Sequence, residues 1–244
     1  MGKDFPQHIG FIIDGNRRWA RARGLPIFEG HRRGYEKLKK VGDWCLKRGI
    51  KIMTVFVFST ENWRRSKREV AYLMKLLKRA LIYEVKKIHK KGIRLQVLGR
   101  KEGLPLDLQK AVLRAEKLTK NNKKGILNLA LNYGGRAEII DAVKEIFKKF
   151  LERKNKEKFS LNELQNFLKN INEELLAKNL YTKNLPDPDL IIRTSGEQRL
   201  SGFLLWQAAY AELYFCSKLW PDFEEEDLEK ALKWYVSRER RFGK

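Results

Sequence analysis

The sequence predicts an α/β fold: one domain over residues 1–244, with a central, mostly parallel sheet flanked by helices. Three observations carry this. Short continuous apolar runs recur along the chain, as strands buried on both faces require. Stretches with apolar residues at three- and four-residue spacing lie between them. The two textures alternate, as the strand–helix–strand units of a parallel sheet do.

The strands are read, in order, at residues 9–13, 50–58, 93–98, 126–131 and 190–192. Helical stretches are read at 31–48, 68–91, 105–121 and 135–154. In the second, Leu73, Leu76, Leu77, Ala80, Leu81, Val85 and Ile88 form one apolar stripe. Further on, Ser160 and Glu163 fit a capping box. Asp222, Glu224, Glu225 and Glu226 put acid at a helix start, and Arg238, Arg240 and Arg241 load its other end. Residues 148–158 are rich in Lys and Glu and read as a solvated helix end or mobile loop. No internal repeat, low-complexity tract or linker divides the chain.

With 244 residues, the chain can bury roughly 70–75% of its unfolded surface and needs no disulfide or structural metal to fold. Hydrophobic residues at 43% and aromatics at 11% exclude a disordered or fibrous protein. Lys and Arg number 53 against 30 Asp and Glu, a net charge of +23. Such an excess calls for an anionic partner: nucleic acid, a phosphorylated small molecule or an acidic membrane surface. Cys45 and Cys216 belong to no C-x-x-C pair, so both are read as core residues in a reducing compartment. His8, His31 and His89 share no zinc-ligand spacing. Neither a signal-peptide apolar region nor a membrane-length apolar run is present, and Pro6 breaks a myristoylation pattern. The expectation is a cytoplasmic protein, at most peripheral at the inner face of the membrane.

In parallel sheets, ligands bind beyond the carboxyl ends of the strands. The first strand runs into Asp14-Gly15-Asn16-Arg17-Arg18-Trp19. Glycine permits close backbone approach, a helix start offers free N–H groups, and arginines match phosphate oxygens. Asp14 in so basic a turn suits a carboxylate holding Mg²⁺ against diphosphate; an ordinary Asp-Gly turn is the bland alternative. The second strand runs into Ser59-Thr60-Glu61-Asn62-Trp63-Arg64-Arg65, and the last into Arg193-Thr194-Ser195-Gly196-Glu197-Gln198-Arg199-Leu200-Ser201, a second candidate phosphate cradle. Glu212 lies in the apolar segment 203–215 and must be neutralised, exposed, paired or metal-bound. A P-loop, a G-x-G-x-x-G turn, a G-x-S-x-G elbow and any adjacent Asp-Asp pair are all missing.

Several blocks in order resemble the signatures of the cis-prenyltransferase family, in particular its bacterial undecaprenyl diphosphate synthases. They are Ile13-Asp14-Gly15-Asn16-Arg17-Arg18-Trp19-Ala20, Gly30-His31, Phe58-Ser59-Thr60-Glu61-Asn62-Trp63, Asn132-Tyr133-Gly134-Gly135-Arg136 and Ile192-Arg193-Thr194-Ser195-Gly196-Glu197. Phe203-Leu204-Leu205-Trp206-Gln207, Ala211-Glu212-Leu213-Tyr214-Phe215, Trp220-Pro221-Asp222-Phe223 and Arg238-Glu239-Arg240-Arg241-Phe242-Gly243 complete the set.

The resemblance implies an enzyme that adds isopentenyl diphosphate repeatedly to an allylic primer, farnesyl diphosphate, with cis double bonds and release of diphosphate. The implied product is undecaprenyl diphosphate, the lipid-carrier precursor for cell-wall glycan synthesis. It implies that Gly15, Asn16, Arg17, Arg18 and Trp19, with His31, surround the allylic diphosphate, and that Ser59, Thr60, Glu61, Trp63 and Arg65 contribute to substrate binding. Arg193, Arg199, Leu200 and Ser201 would hold isopentenyl diphosphate. Asp14 and Glu212 would share Mg²⁺, and Asp14 and Asn62 would be catalytic. The proton would go to Asn62, His31, Ser59 or the departing diphosphate.

Ile27 stands where many bacterial members carry a basic residue, and Arg17, Arg21 or Arg23 would compensate. A homodimer is implied, with Arg241-Phe242-Gly243 reaching the partner's site. An apolar tunnel between sheet and helices would take the lengthening product, lined by the stripe from Leu73 to Ile88 against Val55, Val57, Ile93 and Val97. The rival reading, a nucleic-acid-binding protein, has the charge but no recognised module; a silent partner subunit need not keep Asp14, Asn16, Arg18, Arg193 and Glu212.

Overall fold

The computed structural model describes residues 5–153 and 160–238. Six strands form one sheet in the order β3-β4-β2-β1-β5-β6, and every neighbouring pair is parallel. They are β1 (His8–Ile12), β2 (Ile52–Ser59), β3 (Ile93–Leu98), β4 (Gly125–Tyr133), β5 (Leu190–Arg193) and β6 (Glu212–Phe215). The helices are α1 (Asn16–Arg21), α2 (Ile27–Lys47), α3 (Lys67–Tyr83), α4 (Val85–Lys90), α5 (Leu106–Thr119), α6 (Gly135–Arg153), α7 (Leu161–Lys169), α8 (Glu173–Ala177) and α9 (Glu225–Ser237).

Strand alternation sorts the core into two layers. On one face, Ile9 and Phe11 pack with Val41 and Trp44 of α2 and with Trp220 and Tyr235, while Leu95 and Leu129 pack with Leu73 of α3 and Leu108 and Val112 of α5. On the other face, Ile12, Leu98, Ala130 and Ile191 meet Phe203 and Leu204. Each fully buried aliphatic or aromatic side chain is worth about 1.5–3 kcal/mol against exposure. One polar seam crosses the second face: Thr54 Oγ1 bonds His8 Nε2 at 2.7 Å and accepts from Asn128 Nδ2 at 2.9 Å.

The chain reverses its direction of winding at β1. From there it runs to β2, lays β3 at the far edge and returns to place β4 between them, then crosses to the other side of β1 to lay down β5 and β6. The loops after β1 and β5 therefore diverge, leaving a crevice at the carboxyl ends, where parallel sheets bind ligands.

Differences from the sequence reading are local. The helix read at 68–91 breaks at Glu84, which ends α3 and opens α4; its carboxylate is drawn to Lys87 at 3.2 Å and to Lys39 of α2 at 3.7 Å. The short strand β6 and the six-residue α1 carry too few residues for a periodic signal. The Ser160–Glu163 capping box is present, Glu163 N–H donating to Ser160 Oγ at 3.2 Å. Residues 154–158, Arg240, Arg241 and the tail lie outside the described residues.

Two glycines decide how α1 sits. Gly15, its N-cap, has φ +111°, a region L side chains rarely adopt, and a Cβ there would lie 3.0 Å from Leu219 Cα. Gly30 on α2 lets the helices touch: a Cβ would stand 2.0 Å from the Asn16 carbonyl oxygen. Gly30→Ala must push α1 away, so urea unfolding is expected to show a loss of about 1–3 kcal/mol, the usual scale for overpacking.

Candidate active site

The residues after β1 and β5 meet at one ion pair. Ile12 pairs with Arg193 across the strands, so Asp14 and Arg193 face one another where the ladder ends. Arg193 Nη2 donates to Asp14 Oδ2 at 2.9 Å, and its Nη1 donates to Ser201 Oγ at 2.8 Å and to the Arg199 carbonyl. The Asp14 backbone is fixed too: its carbonyl accepts from Thr194 Oγ1 at 2.7 Å and from Trp220 N–H at 3.0 Å. Burial opposes ionisation of Asp14. Hydrogen bonds from Arg193 and Ser195 and the charges of Arg193 and Arg18 outweigh it, holding the carboxyl below its usual range. Asp14 is an anion at neutral pH.

Arg18 closes the other side of this pair, donating from Nη2 to Ser195 Oγ at 2.5 Å and from Nη1 to Glu197 at 3.2 Å. No side chain caps the start of α1, so its first-turn N–H groups remain available to an anion. Arg193 Nε is buried with no hydrogen-bond partner, as is Asn16 Oδ1. Such groups are costly unless a ligand or water meets them.

Around these lies a cleft of about 480 Å³. It gathers Asp14, Gly15, Asn16, Arg17, Arg18, His31, Ser59, Glu61, Asn62, Arg65, Arg193 and Ser201, with Arg21 added. An apolar cavity of about 430 Å³ adjoins it, lying between α2, α3 and the sheet. Ile13, Asn16, His31, Val57 and Leu73 line both spaces, so the polar cleft opens into the apolar one. Of the helical stripe, Leu73, Leu76, Leu77, Ala80, Leu81 and Ile88 face the cavity, with Val57 and Ile93 opposite; Val55, Val85 and Val97 do not line it and are core.

Glu69 is the functional residue that sequence reasoning missed. It is 1% exposed and accepts from His31 Nε2 at 3.0 Å and Arg65 Nη1 at 3.2 Å, with Arg17 Nε at 3.7 Å. Thus one buried carboxylate holds three cleft side chains. Its only sequence signal is Ser66-x-x-Glu69, a helix-start pattern realised as Glu69 N–H donating to Ser66 Oγ at 3.3 Å. Burial lowers the His31 pKa and wins over the stabilising Glu69 carboxylate, with Arg65 and Arg17 adding to the depression, so the ring is neutral at neutral pH.

Six expected positions fall elsewhere. Trp19 is buried, donating from Nε1 to Asp222 at 2.7 Å beneath the Arg23 guanidinium, and so anchors α1 rather than lining the cleft. Thr60 does not line the cleft and donates to Glu61 at 3.0 Å. Trp63 bonds Asn132 Oδ1 at 2.7 Å and lines a separate surface groove with Val70 and Met74. The Arg199 guanidinium turns to Glu197, and Leu200 packs toward the core on the second face.

Glu212 is the sixth and corrects the expected shared metal site. It opens β6 opposite Leu190, whereas Asp14 lies beyond the Ile12–Arg193 end of the same sheet. At about 3.3 Å per residue, ~10 Å or more of strand separates them. Its carboxylate lies 3.5 Å from Arg238. Within one chain the two carboxylates cannot ligate one ion, since magnesium–oxygen bonds are about 2.1 Å long.

Asn62 caps rather than projects: its Oδ1 accepts from Ser59 N–H at 3.1 Å. The Ser59 hydroxyl hydrogen-bonds Glu61. Burial of Glu61 is outweighed by its backbone N–H and the Ser59 and Thr60 hydroxyls, so its carboxyl stays below its usual range.

An arginine-lined cleft at the carboxyl end of a parallel sheet, leading into an apolar cavity, suits a molecule with an anionic head and a hydrocarbon tail. Comparison with known proteins agrees. A family model described as "Putative undecaprenyl diphosphate synthase" matches residues 12–243. An isoprenyl transferase of Thermotoga maritima is 48% identical over 238 residues, 98% of this chain and 97% of that one. A Pyrococcus furiosus protein named tritrans,polycis-undecaprenyl-diphosphate synthase (geranylgeranyl-diphosphate specific) is 46% identical over 98% of this chain and 87% of its own. The crystal structure of lavandulyl diphosphate synthase from Lavandula x intermedia, in complex with dimethylallyl diphosphate, superposes with a TM-score of 0.90 at 38% identity, covering 100% of both chains. The chain belongs to the undecaprenyl diphosphate synthase family and is a transferase of prenyl groups.

His31 supplies a test of the buried cluster. An unfolded histidine titrates near pH 6.5, and the folded ring does so lower. The unfolded chain therefore takes up the proton first: the stability from neutral His31 is complete above pH 6.5 and falls as pH drops toward the folded value. Nuclear magnetic resonance titration is expected to place the His31 midpoint below 6.5, and His31→Gln to flatten the loss of stability below that pH.

Proposed function

We propose that this chain condenses isopentenyl diphosphate stepwise onto an allylic diphosphate to build a long cis-polyprenyl diphosphate, of undecaprenyl length. The observation that supports it best is the Asp14–Arg193 pair, which ties two anion-binding loops together at the mouth of the apolar cavity. Arg17, Arg18 and Arg21, with α1's uncapped start, would bind the allylic diphosphate; Arg193 and Ser201 would take the diphosphate of the second substrate. As the allylic C1–O bond breaks, the leaving diphosphate carries the electron pair away, and fixed guanidinium groups in a cleft stabilise that growing charge. Isopentenyl C4 then attacks C1, leaving positive charge at C3, and the proton lost from C2 as the new C2=C3 double bond forms goes to a diphosphate oxygen. Asn62 is not the base in this scheme: an amide does not take up a proton near neutral pH, and its oxygen already accepts from Ser59.

A divalent cation fits the donor set. Among the described residues no cluster of three or more acidic, His or Cys side chains could hold a metal alone. One charged carboxylate beside a diphosphate pocket suits Mg²⁺, which keeps water and takes substrate phosphates as ligands. Asp14 would hold it, and it would supply charge neutralisation on the diphosphate. The primer is farnesyl diphosphate or, as the name of the Pyrococcus relative suggests, geranylgeranyl diphosphate. The working form is a homodimer.

Mass spectrometry of products made from each primer with isopentenyl diphosphate and Mg²⁺ tests the reading. A C55 polyprenyl diphosphate is expected, and failure to elongate either primer refutes it. Asp14→Ala is expected to lower turnover about 10²–10³-fold, the scale for losing one key electrostatic group, with circular dichroism unchanged. Glu69→Ala frees Arg17, Arg65 and His31 together; it is expected to raise the KM for the allylic diphosphate about tenfold or more, with Glu69→Gln intermediate.

A further inference from the structure

The apolar cavity has a second end. It runs beneath α3 from Val57, near the cleft, to Ile50, Ile93 and Ile126 at the amino ends of β2, β3 and β4. From Ile50 to Val57 is seven strand steps, or about 23 Å at 3.3 Å each. At that far end its wall includes the charged side chains of Lys39, Asp43, Lys51, Glu84, Lys87 and Lys91, most of them exposed, so the cavity reaches the surface there.

The surface around this far mouth is basic. Exposed Lys51 precedes β2, Lys87, Lys90 and Lys91 lie on and after α4, and Lys123 and Lys124 precede β4. Asp43 pairs with Lys91 and Glu84 with Lys87, and among the described residues Lys51, Lys90, Lys123 and Lys124 form no ion pair. Beside them, at the last turn of α3, Ile82 and Tyr83 are 46% and 68% exposed. Lysines around exposed aliphatic and aromatic side chains, at the opening of a hydrocarbon-lined cavity, match an anionic lipid surface: the charges meet headgroups and the apolar side chains enter the interface. A nucleic acid would use the charge but has no use for the apolar mouth.

We propose that the face formed by α4 and the amino ends of β2, β3 and β4 docks on acidic membrane lipid, so that the far end of the cavity opens against the bilayer. This rests on the proposed long-chain product, whose tail outgrows the cavity. Every methylene leaving the cavity would otherwise enter water, at a cost in free energy. Docking gives the tail a second apolar phase at the point where it emerges.

The experiment is vesicle co-sedimentation of the full-length protein without substrates, using phosphatidylcholine vesicles with or without 30% phosphatidylglycerol. Lys90→Glu/Lys123→Glu/Lys124→Glu is compared with Lys144→Glu/Lys148→Glu/Lys149→Glu on α6, an equal change in net charge elsewhere. Binding to the acidic vesicles, weakened by salt, is expected to fall at least tenfold in the first variant and far less in the second; Tyr83→Ser is expected to weaken it about threefold. A single condensation on a short primer in detergent is expected to proceed equally in all three.

Equal losses in both triple variants would reduce the effect to bulk charge and overturn the proposal, as would equal binding to neutral vesicles. Tight oligonucleotide binding lost in the first variant, without vesicle binding, would assign the face to nucleic acid. Because binding is read without turnover, loss of this proposal would leave the prenyl-transfer reading intact, and failed elongation would show in the product analysis instead.

Discussion

The Asp14–Arg193 pair is the contact on which the site depends. It exists because β1 and β5 are neighbours in register, Ile12 against Arg193, so the residues that follow each strand emerge side by side. A buried arginine is tolerated only when its charge is answered. Asp14, Ser201 and the Arg199 carbonyl answer most of it. The same aspartate is fixed through its carbonyl by Thr194 and Trp220. The result is a preorganised cluster of cationic donors around the Asp14 carboxylate.

The second organising group is Glu69. Its burial would be prohibitive if it were alone, yet it sits under His31, Arg65 and Arg17 and lends each of them a fixed position. It lies at the start of α3, the helix that also supplies the apolar wall of the cavity. The polar cleft and the apolar cavity therefore share a helix, with Leu73 facing both spaces only one turn after Glu69. Close contact between α1 and α2, permitted by Gly30, brings Arg17 and Arg18 over the same opening.

Cavity and core are made of the same residue types, and this explains where the sequence reading was least specific. Leu73, Leu77 and Ile88 line open space, while Val85, drawn from the same stripe, is packed solid. Helical spacing records only that a face is apolar. Whether the facing surface comes close enough to fill the gap depends on where α2 sits, and that is set by contacts distant in sequence. The break at Glu84 is likewise invisible in the helical spacing, which continues unbroken from Leu81 to Val85 and Ile88.

The sequence by itself determined the strand–helix alternation, the parallel sheet, and the loops after β1, β2 and β5 as the places where polar residues interrupt apolar runs. These are local patterns, written in hydrophobic period and in short blocks such as Asp14-Gly15-Asn16-Arg17-Arg18. Tertiary structure alone decided which members of those blocks line the cleft. Trp19 turned inward to Asp222, Arg199 outward to Glu197, and Glu69 joined a site from which nothing nearby in sequence suggested it. Glu212 was misplaced for a simple reason: a motif fixes a residue's identity, whereas strand register fixes which end of the sheet it occupies, and β6 begins at the end away from Asp14.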